Sequence, residues 1–386
     1  VYDHQPFDTF RHRVLAFATS TVWPEAGPEE VEVERLKGGG FNRIIGLAWK
    51  QEHYILRIPR FDAAQVGNDV AALLFLQQHT KIPAPRVKLF DESENNPLES
   101  PYAIQYRIPG TDLLSAFPDL SHENKCKVAR ELGESLNSML AIQSSKAGKL
   151  VLPDGSKSLE AQINVTSFQS EDSELPEPFH AAPLTKTVCE LLMSIFQPQT
   201  AHSTEPGPVT NMRVGFGNEF SKMASELDAD GWFVNTHYAL AHLDFEPRNI
   251  LVNPTNDGET PIISSILDWD SAVLAPSFMT CAPPMWIWDW QDDEDEDERL
   301  ANNEPSSPEG RELKTIFETA AGEEWVRLAY PAAYRLGRRL CRFAIDGVRS
   351  NEDFREAKDM LEEWKDIHSI GENRKLISKI YATIGA

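Results

Sequence analysis

Apolar residues recur along this chain with two different periods, and the switch between them divides it. In residues 7–19, FDTFRHRVLAFAT, Phe7, Phe10, Val14 and Phe17 fall at three- and four-residue steps, which predicts an amphipathic helix. From residue 31 the texture changes. The stretch VEVERLKGGGFNRIIGLAWKQEHYILRIPR, residues 31–60, alternates apolar with polar positions, is rich in β-branched residues and breaks at a glycine run. It predicts strand, glycine turn, strand, short polar turn, strand. Helical spacing returns in GNDVAALLFLQQHT, residues 67–80. The chain leaves that helix through the prolines of KIPAPRVKLFD (81–91) into a strand, and SPYAIQYRIPG (100–110) is a further strand ending at Pro109-Gly110. Beyond Gly110 helical spacing dominates, in residues 122–142, in NEFSKMASEL (218–227), and in closing segments 311–346 and 351–385. Residues 143–210 mix Ser, Pro and Glu with short apolar pieces and yield no element order. The expected fold class is therefore α+β in two lobes: a small antiparallel sheet with one helix, residues 1–109, and a larger, mainly helical part, residues 110–386.

Composition changes this picture in one respect. The chain has 386 residues, 41% hydrophobic and 25% charged, enough to bury a sizeable core, but its formal net charge is −23. Nucleic acid is bound by an excess of lysine and arginine, so this charge argues against it and leaves room for a neutral or cationic small molecule. Four cysteines, Cys126, Cys189, Cys281 and Cys341, lie far apart with no CxxC pair, as expected of reduced thiols. No apolar run approaches the ~18 residues that span a bilayer, and no segment resembles a signal peptide, so the expectation is a cytoplasmic protein without a membrane partner. The acidic run DDEDEDE, residues 292–298, reads either as a solvated loop or as a rim that attracts a cation.

The candidate chemistry sits in HLDFEPRNILVNP, residues 242–254, followed by IISSILDWDSA, residues 262–272. Asp244 and Asn249 stand five residues apart on a loop that runs into an apolar strand. Phosphoryl transfer needs this pair: a carboxylate to orient the acceptor hydroxyl and an amide oxygen to help hold a divalent ion. A second carboxylate must reach the same ion, because Mg²⁺ prefers carboxylate and phosphate oxygens. Asp268 ends the strand expected to return as a hairpin through the turn-rich TNDGET, residues 255–260, which would bring it back beside Asn249.

The first lobe supplies further parts in the matching order. Gly38, Gly39 and Gly40 lie between two predicted strands, as a plain hairpin turn or as bare backbone that approaches phosphates. Arg57, within YILRIPR, stands where a cation reaching the phosphates would be needed. Asp69 opens the next helix, either as a partner for Arg57 or as an acidic residue favoured by the helix dipole. The strand YAIQYRIPG would then form the hinge between lobes, with the backbone of Gln105, Tyr106, Arg107 and Ile108 facing an adenine. Asp270 caps a turn or adds a contact, and the aromatic APPMWIWDW, residues 282–290, is core or pocket wall.

Taken together, HLDFEPRNILV, ILDWDSA, YILRIP and IPAPRV resemble the aminoglycoside phosphotransferase and choline-kinase-like family, over about residues 30–290. The resemblance implies a two-lobed, protein-kinase-like fold and an ATP- and Mg²⁺-dependent kinase of a small-molecule hydroxyl. It implies Asp244 as catalytic base, Asn249 and Asp268 as metal ligands, and His242 as the brace of the loop. Two positions depart from the family pattern, whose strand cation is usually lysine and whose helix carboxylate is usually glutamate. Here they are Arg57 and Asp69, a longer cation facing a shorter anion, which keeps the span of a salt bridge. The same departures motivate the alternative of a pseudokinase, a nucleotide-binding or scaffold module with the fold and little turnover.

Overall fold

The computed structural model describes residues 6–36, 40–60, 66–153, 155–168, 186–201, 208–254, 260–290 and 297–384. Helix α1 (Phe7–Phe17) buries Phe10, Val14 and Phe17, the stripe set by their spacing, and runs on into a π-helical turn at Ala18–Val22. Strands β1 (Glu32–Arg35), β2 (Asn42–Trp49), β3 (Glu52–Pro59), β4 (Val87–Asp91) and β5 (Tyr102–Tyr106) form one antiparallel sheet in the order β1-β2-β3-β5-β4. Trp49 pairs with Glu52, so β2 and β3 turn on Lys50 and Gln51 alone, with Lys50 at φ 54°. A two-residue hairpin demands that left-handed conformation, because it matches the twist of the strands.

One face of this sheet packs Ile45, Leu47, Leu56 and Ile104 against Phe10, Val14, Phe17 and Trp23. Helix α2 (Val66–His79) belongs to a different core. Its Val70, Leu73, Leu74 and Leu76 join a cluster that continues into Leu132, Ile250, Ile266 and Trp269 of the second lobe. A helix flanked by apolar neighbours on most sides is apolar almost all round. Asp69 on α2 is thereby carried into the contact between lobes, where it is 5% exposed.

The second lobe is more mixed than its periodicity suggests. It comprises β6 (Thr111–Asp112), α3 (Leu113–Ala116), α4 (His122–Leu140), β7 (Gly148–Val151), β8 (Asn164–Thr166), α5 (Val188–Ala201) and α6 (Pro208–Ala229). Then follow β9 (Tyr238–Ala241), β10 (Ile250–Val252), β11 (Ile263–Ile266), β12 (Val273–Pro276), α7 (Pro308–Ala321), α8 (Glu323–Ala329), α9 (Ala332–Asp346) and α10 (Asn351–Ile384). The strands make two small sheets, β11-β10-β6 and β8-β7-β12-β9. Strands of two to four residues are too short for alternation to register in a sequence. The expected closing helix 311–346 is three helices, broken where Gly322 takes φ 89° and where Pro331 offers no N–H.

The crossing between lobes is fixed by one glycine. Gly110 has φ +147°, and a Cβ there would lie 2.8 Å from Ser264 Oγ and 3.0 Å from the Val252 carbonyl. Only a bare backbone seats this closely on β10 and β11. Residues 111–112 then add β6 to β10, so the chain leaving the first sheet docks directly on the hairpin that follows Asn249.

Candidate active site

Strand β9 ends at Ala241, and the next eight residues form a loop that closes on itself by hydrogen bonds. The Asp244 backbone N–H meets His242 Nδ1 at 3.3 Å, and His242 Nε2 lies 2.8 Å from the Leu267 carbonyl. A carbonyl only accepts and an amide N–H only donates, so the imidazole is neutral with its hydrogen on Nε2. The Leu267 N–H donates to the Asn249 carbonyl at 2.7 Å. Asn249 Nδ2 completes the circuit, donating to the Asp244 carboxylate at 2.8 Å and to the Asp244 carbonyl at 3.0 Å. His242 is 3% exposed, and burial holds its pKa below the ordinary value. Trp269 packs edge-on against its ring at 4.4 Å, with its own indole N–H on the Ile266 carbonyl.

Two residues pay for this closure in backbone strain. Leu243 sits at φ 64° and Asp268 at φ 63°, left-handed conformations costly for side chains with a Cβ. The surrounding bonds over-determine both: Leu243 lies between the linked His242 and Asp244, and its carbonyl accepts from Arg342 of α9. The result aims the Asp244 and Asp268 carboxylates outward. Their side chains are 34% and 40% exposed, whereas the side chains of Arg57 and Asp69 are 12% and 7% exposed.

Arg57 reaches this loop from β3. Its Nε lies 3.3 Å from Asp69 Oδ2, and its Nη2 lies 2.9 Å from Asp268 Oδ1 and 3.7 Å from Asp270. Burial alone would pull Arg57 down, but the three carboxylates outweigh it and hold the guanidinium above its ordinary pKa. Burial pushes Asp69 up, against the pull of Arg57. Burial and the neighbouring Asp268 push Asp270 up to about 6. Gln105 Nε2 donates to Asp69 Oδ2 at 3.0 Å, bracing the same carboxylate from β5.

The donor chemistry of the loop suits a divalent ion. Because Asn249 spends its Nδ2 on Asp244, its Oδ1 is left without a hydrogen bond among the described residues, as is Asp268 Oδ2. Two free oxygens, an amide and a carboxylate, are the donor set that Mg²⁺ takes beside phosphate.

The model of the phosphotransferase enzyme family, APH, matches residues 32–313. The chain belongs to this family. Over 183 residues it is 25% identical to Altered inheritance of mitochondria protein 9, mitochondrial, of Clavispora lusitaniae, covering 44% of this chain and 30% of that protein. Over 108 residues it is 27% identical to a subtelomeric hrmA-associated cluster protein of Aspergillus fumigatus, covering 27% and 21%. The matched stretches thus span under a third of either relative's length. The crystal structure of aminoglycoside phosphotransferase APH(4)-Ia is 17% identical, with a TM-score of 0.52 over 92% of this chain and 98% of that chain. A thermostable mutant of APH(4)-Ia, in ternary complex with AMP-PNP and hygromycin B, is also 17% identical, with a TM-score of 0.50 over 91% and 97%. These likenesses carry the fold, which is the α+β, two-lobed, protein-kinase-like fold expected from the sequence.

In this phosphotransferase-family chain, the structure brings His242, Asp244, Asn249, Asp268, Arg57 and Asp69 into one connected cluster. The expected hairpin forms, with Ile250 paired to Ile266, although its turn at 255–259 lies outside the described residues. Gly38 and Gly39 also lie outside them, and Gly40 is exposed with open space where a Cβ would stand. At the expected hinge the Tyr106 N–H donates to the Arg86 carbonyl and the Arg107 N–H to the His53 carbonyl, so these two amides are taken by the sheet, while the Gln105 side chain turns into the core toward Asp69. Ile108 lies past the last ladder pair, and its backbone makes no hydrogen bond among the described residues. The aromatic segment is core: Trp286 and Trp288 are buried, and Trp290 stacks on Phe117 at 4.8 Å. Arg248, which flanks the loop, joins the site as well. Its Nη2 donates to Asp244 Oδ1 at 2.6 Å, and the four-residue step between them, across a turn opened by Pro247, was the available signal.

Proposed function

We propose that this chain is a MgATP-dependent phosphotransferase that moves the γ-phosphoryl of ATP to a hydroxyl of a small molecule. The observation that carries the reading is the closed hydrogen-bond circuit through His242, Asp244, Asn249 and Leu267, which presents an exposed carboxylate beside two oxygens suited to Mg²⁺. In this reading Asp244 receives the proton of the acceptor hydroxyl. The acceptor oxygen bonds to the γ-phosphorus as the bond from phosphorus to the ADP oxygen breaks. Asn249 and Arg248 hold the two oxygens of Asp244, so the carboxylate is oriented before substrate arrives. Asn249 Oδ1 and Asp268 Oδ2 would hold Mg²⁺, which supplies neutralisation of phosphate charge. Arg57, fixed by Asp69 and through it by Gln105, brings a permanent cation to the same place.

The acceptor is proposed to be a hydroxylated compound of the aminoglycoside, amino-alcohol or sugar type, with the net charge of −23 favouring a cationic one. AMP-PNP and hygromycin B in the APH(4)-Ia complex support a nucleotide and an amino-sugar acceptor as the first pair to try. The test is nucleotide binding by thermal shift with and without Mg²⁺. ATP should raise the melting temperature more with Mg²⁺ than without, and Asp268→Asn should remove the Mg²⁺-dependent part. Identical MgATP affinity in Asp268→Asn would overturn the metal assignment, and no response to any nucleotide would overturn the reading as a whole.

A further inference from the structure

Away from the loop, His122, Cys126 and Glu312 bring one ligand atom each to within 4.8 Å of one another. We propose that these three residues form a second metal site, for Zn²⁺ or an ion of similar softness, which pins helix α4 to helix α7. His122 and Cys126 are four residues apart on the first turns of α4, so their side chains lie on one face. Glu312 comes from α7, in the turn after its Ser307 cap. Cys126 Sγ and Glu312 Oε2 converge on the same nitrogen, His122 Nε2, at 3.6 and 3.0 Å. A tetrahedral zinc with bonds of about 2.3 Å to sulfur and about 2.0 Å to nitrogen and oxygen sets those edges at roughly 3.6 and 3.3 Å. These two edges need adjustment by only a few tenths of an ångström, and the third, from sulfur to carboxylate, lies within 4.8 Å.

The other ring nitrogen adds an independent observation. His122 Nδ1 lies 3.2 Å from Glu309 Oε1, one turn of α7 before Glu312. A metal-bound histidine characteristically donates its second N–H to a carboxylate, which fixes the tautomer that leaves Nε2 free for the ion. Lys125 Nζ, 3.9 Å from the same Glu309 oxygen, completes that outer layer. A thiolate, an imidazole and a carboxylate with a fourth position open to water is a donor set for zinc rather than for Mg²⁺. The position gives the ion a purpose. Where α4 and α7 touch, a Cβ on Gly133 would lie 2.6 Å from the Phe317 carbonyl, so the helices are in backbone contact there. His122 is eleven residues, about 16 Å of helix, further out, and an ion there would close the far end of the pair.

The competing arrangement of the same atoms is a doubly protonated imidazole clamped between Glu309 and Glu312, with Cys126 a bystander. Full-length protein stripped with chelator and titrated with Co²⁺ alone distinguishes the two, because only coordination by sulfur gives a thiolate-to-cobalt charge-transfer band. One equivalent should produce that band together with tetrahedral ligand-field absorption. Zn²⁺ should abolish it, and Cys126→Ser should never show it. Glu309→Gln should keep the band and weaken the affinity by roughly 10- to 100-fold. All three ligands are partly exposed, so the variants should fold, and an unchanged metal-free melting temperature will verify it. No thiolate band, a band that survives Cys126→Ser, or unchanged affinity in both Glu309→Gln and Glu312→Gln would overturn the site. Phosphoryl transfer is not the readout, so the result stands apart from the activity proposed above.

Discussion

Replacing Arg57 by methionine removes the one cation that faces Asp69 among the described residues. Asp69 would keep only the Gln105 hydrogen bond while 5% exposed, so its charge would be buried without compensation. Breaking a buried pair from one side costs about 3–5 kcal/mol, much of it the stranded partner rather than the lost attraction. Replacing both partners is different: Arg57→Met with Asp69→Leu exchanges the pair for apolar volume and leaves Gln105 as the unsatisfied group, at about 1–3 kcal/mol. The double variant should therefore be more stable than Arg57→Met alone, a strongly non-additive cycle. Arg57→Lys should fall between, because one ammonium cannot cover Asp69 and Asp268 together, which Arg57 meets through separate nitrogens at 3.3 and 2.9 Å. Urea unfolding followed by the fluorescence of the nine tryptophans measures the midpoints of the native chain, Arg57→Met, Asp69→Leu, the double variant and Arg57→Lys. A cost below about 1 kcal/mol for Arg57→Met, or additive single effects, would refute the argument that Asp69 depends on Arg57.

Two further variants separate stability from chemistry. Arg248→Ala breaks a pair that is 41% and 34% exposed, so stability should stay within about 0.5 kcal/mol while the transfer rate falls through loss of one hold on Asp244; equal rates would contradict that role. His242 is held neutral by burial, so as pH falls through about 6.5 the unfolded chain takes up a proton that the native state refuses. The stability His242 contributes is present above that pH and lost below it. The stability gap between the native protein and His242→Gln should therefore shrink on acidification from pH 7.5 to 5.5, and a flat difference would count against the buried neutral tautomer.

What the sequence revealed followed from spacing. The step from Asp244 to Asn249, the β10–β11 pairing and the stripe of α1 are local patterns, and each appears in the structure where its period indicated. Pairs far apart were legible only where chemistry demanded a partner, as with Arg57 and Asp69. The region 143–210 hid β7 and β8 because strands of three or four residues carry too little alternation to be seen. The bonds that occupy the Tyr106 and Arg107 N–H groups were hidden because their partners, Arg86 and His53, are set by how the strands neighbour one another in the sheet. The cluster of His122, Cys126 and Glu312 was invisible for a similar reason: its third ligand stands 186 residues after Cys126 and meets it only through helix packing.

The most direct test is transfer from γ-labelled ATP to a panel of amino sugars, amino-alcohols and sugars, comparing the native chain with Asp244→Asn. The native chain should phosphorylate at least one acceptor in a Mg²⁺-dependent way. Asp244→Asn should lose about 10²- to 10⁴-fold in rate, the usual contribution of a general base, and still show the MgATP thermal shift. Full turnover by Asp244→Asn on that acceptor would contradict the mechanism at its centre.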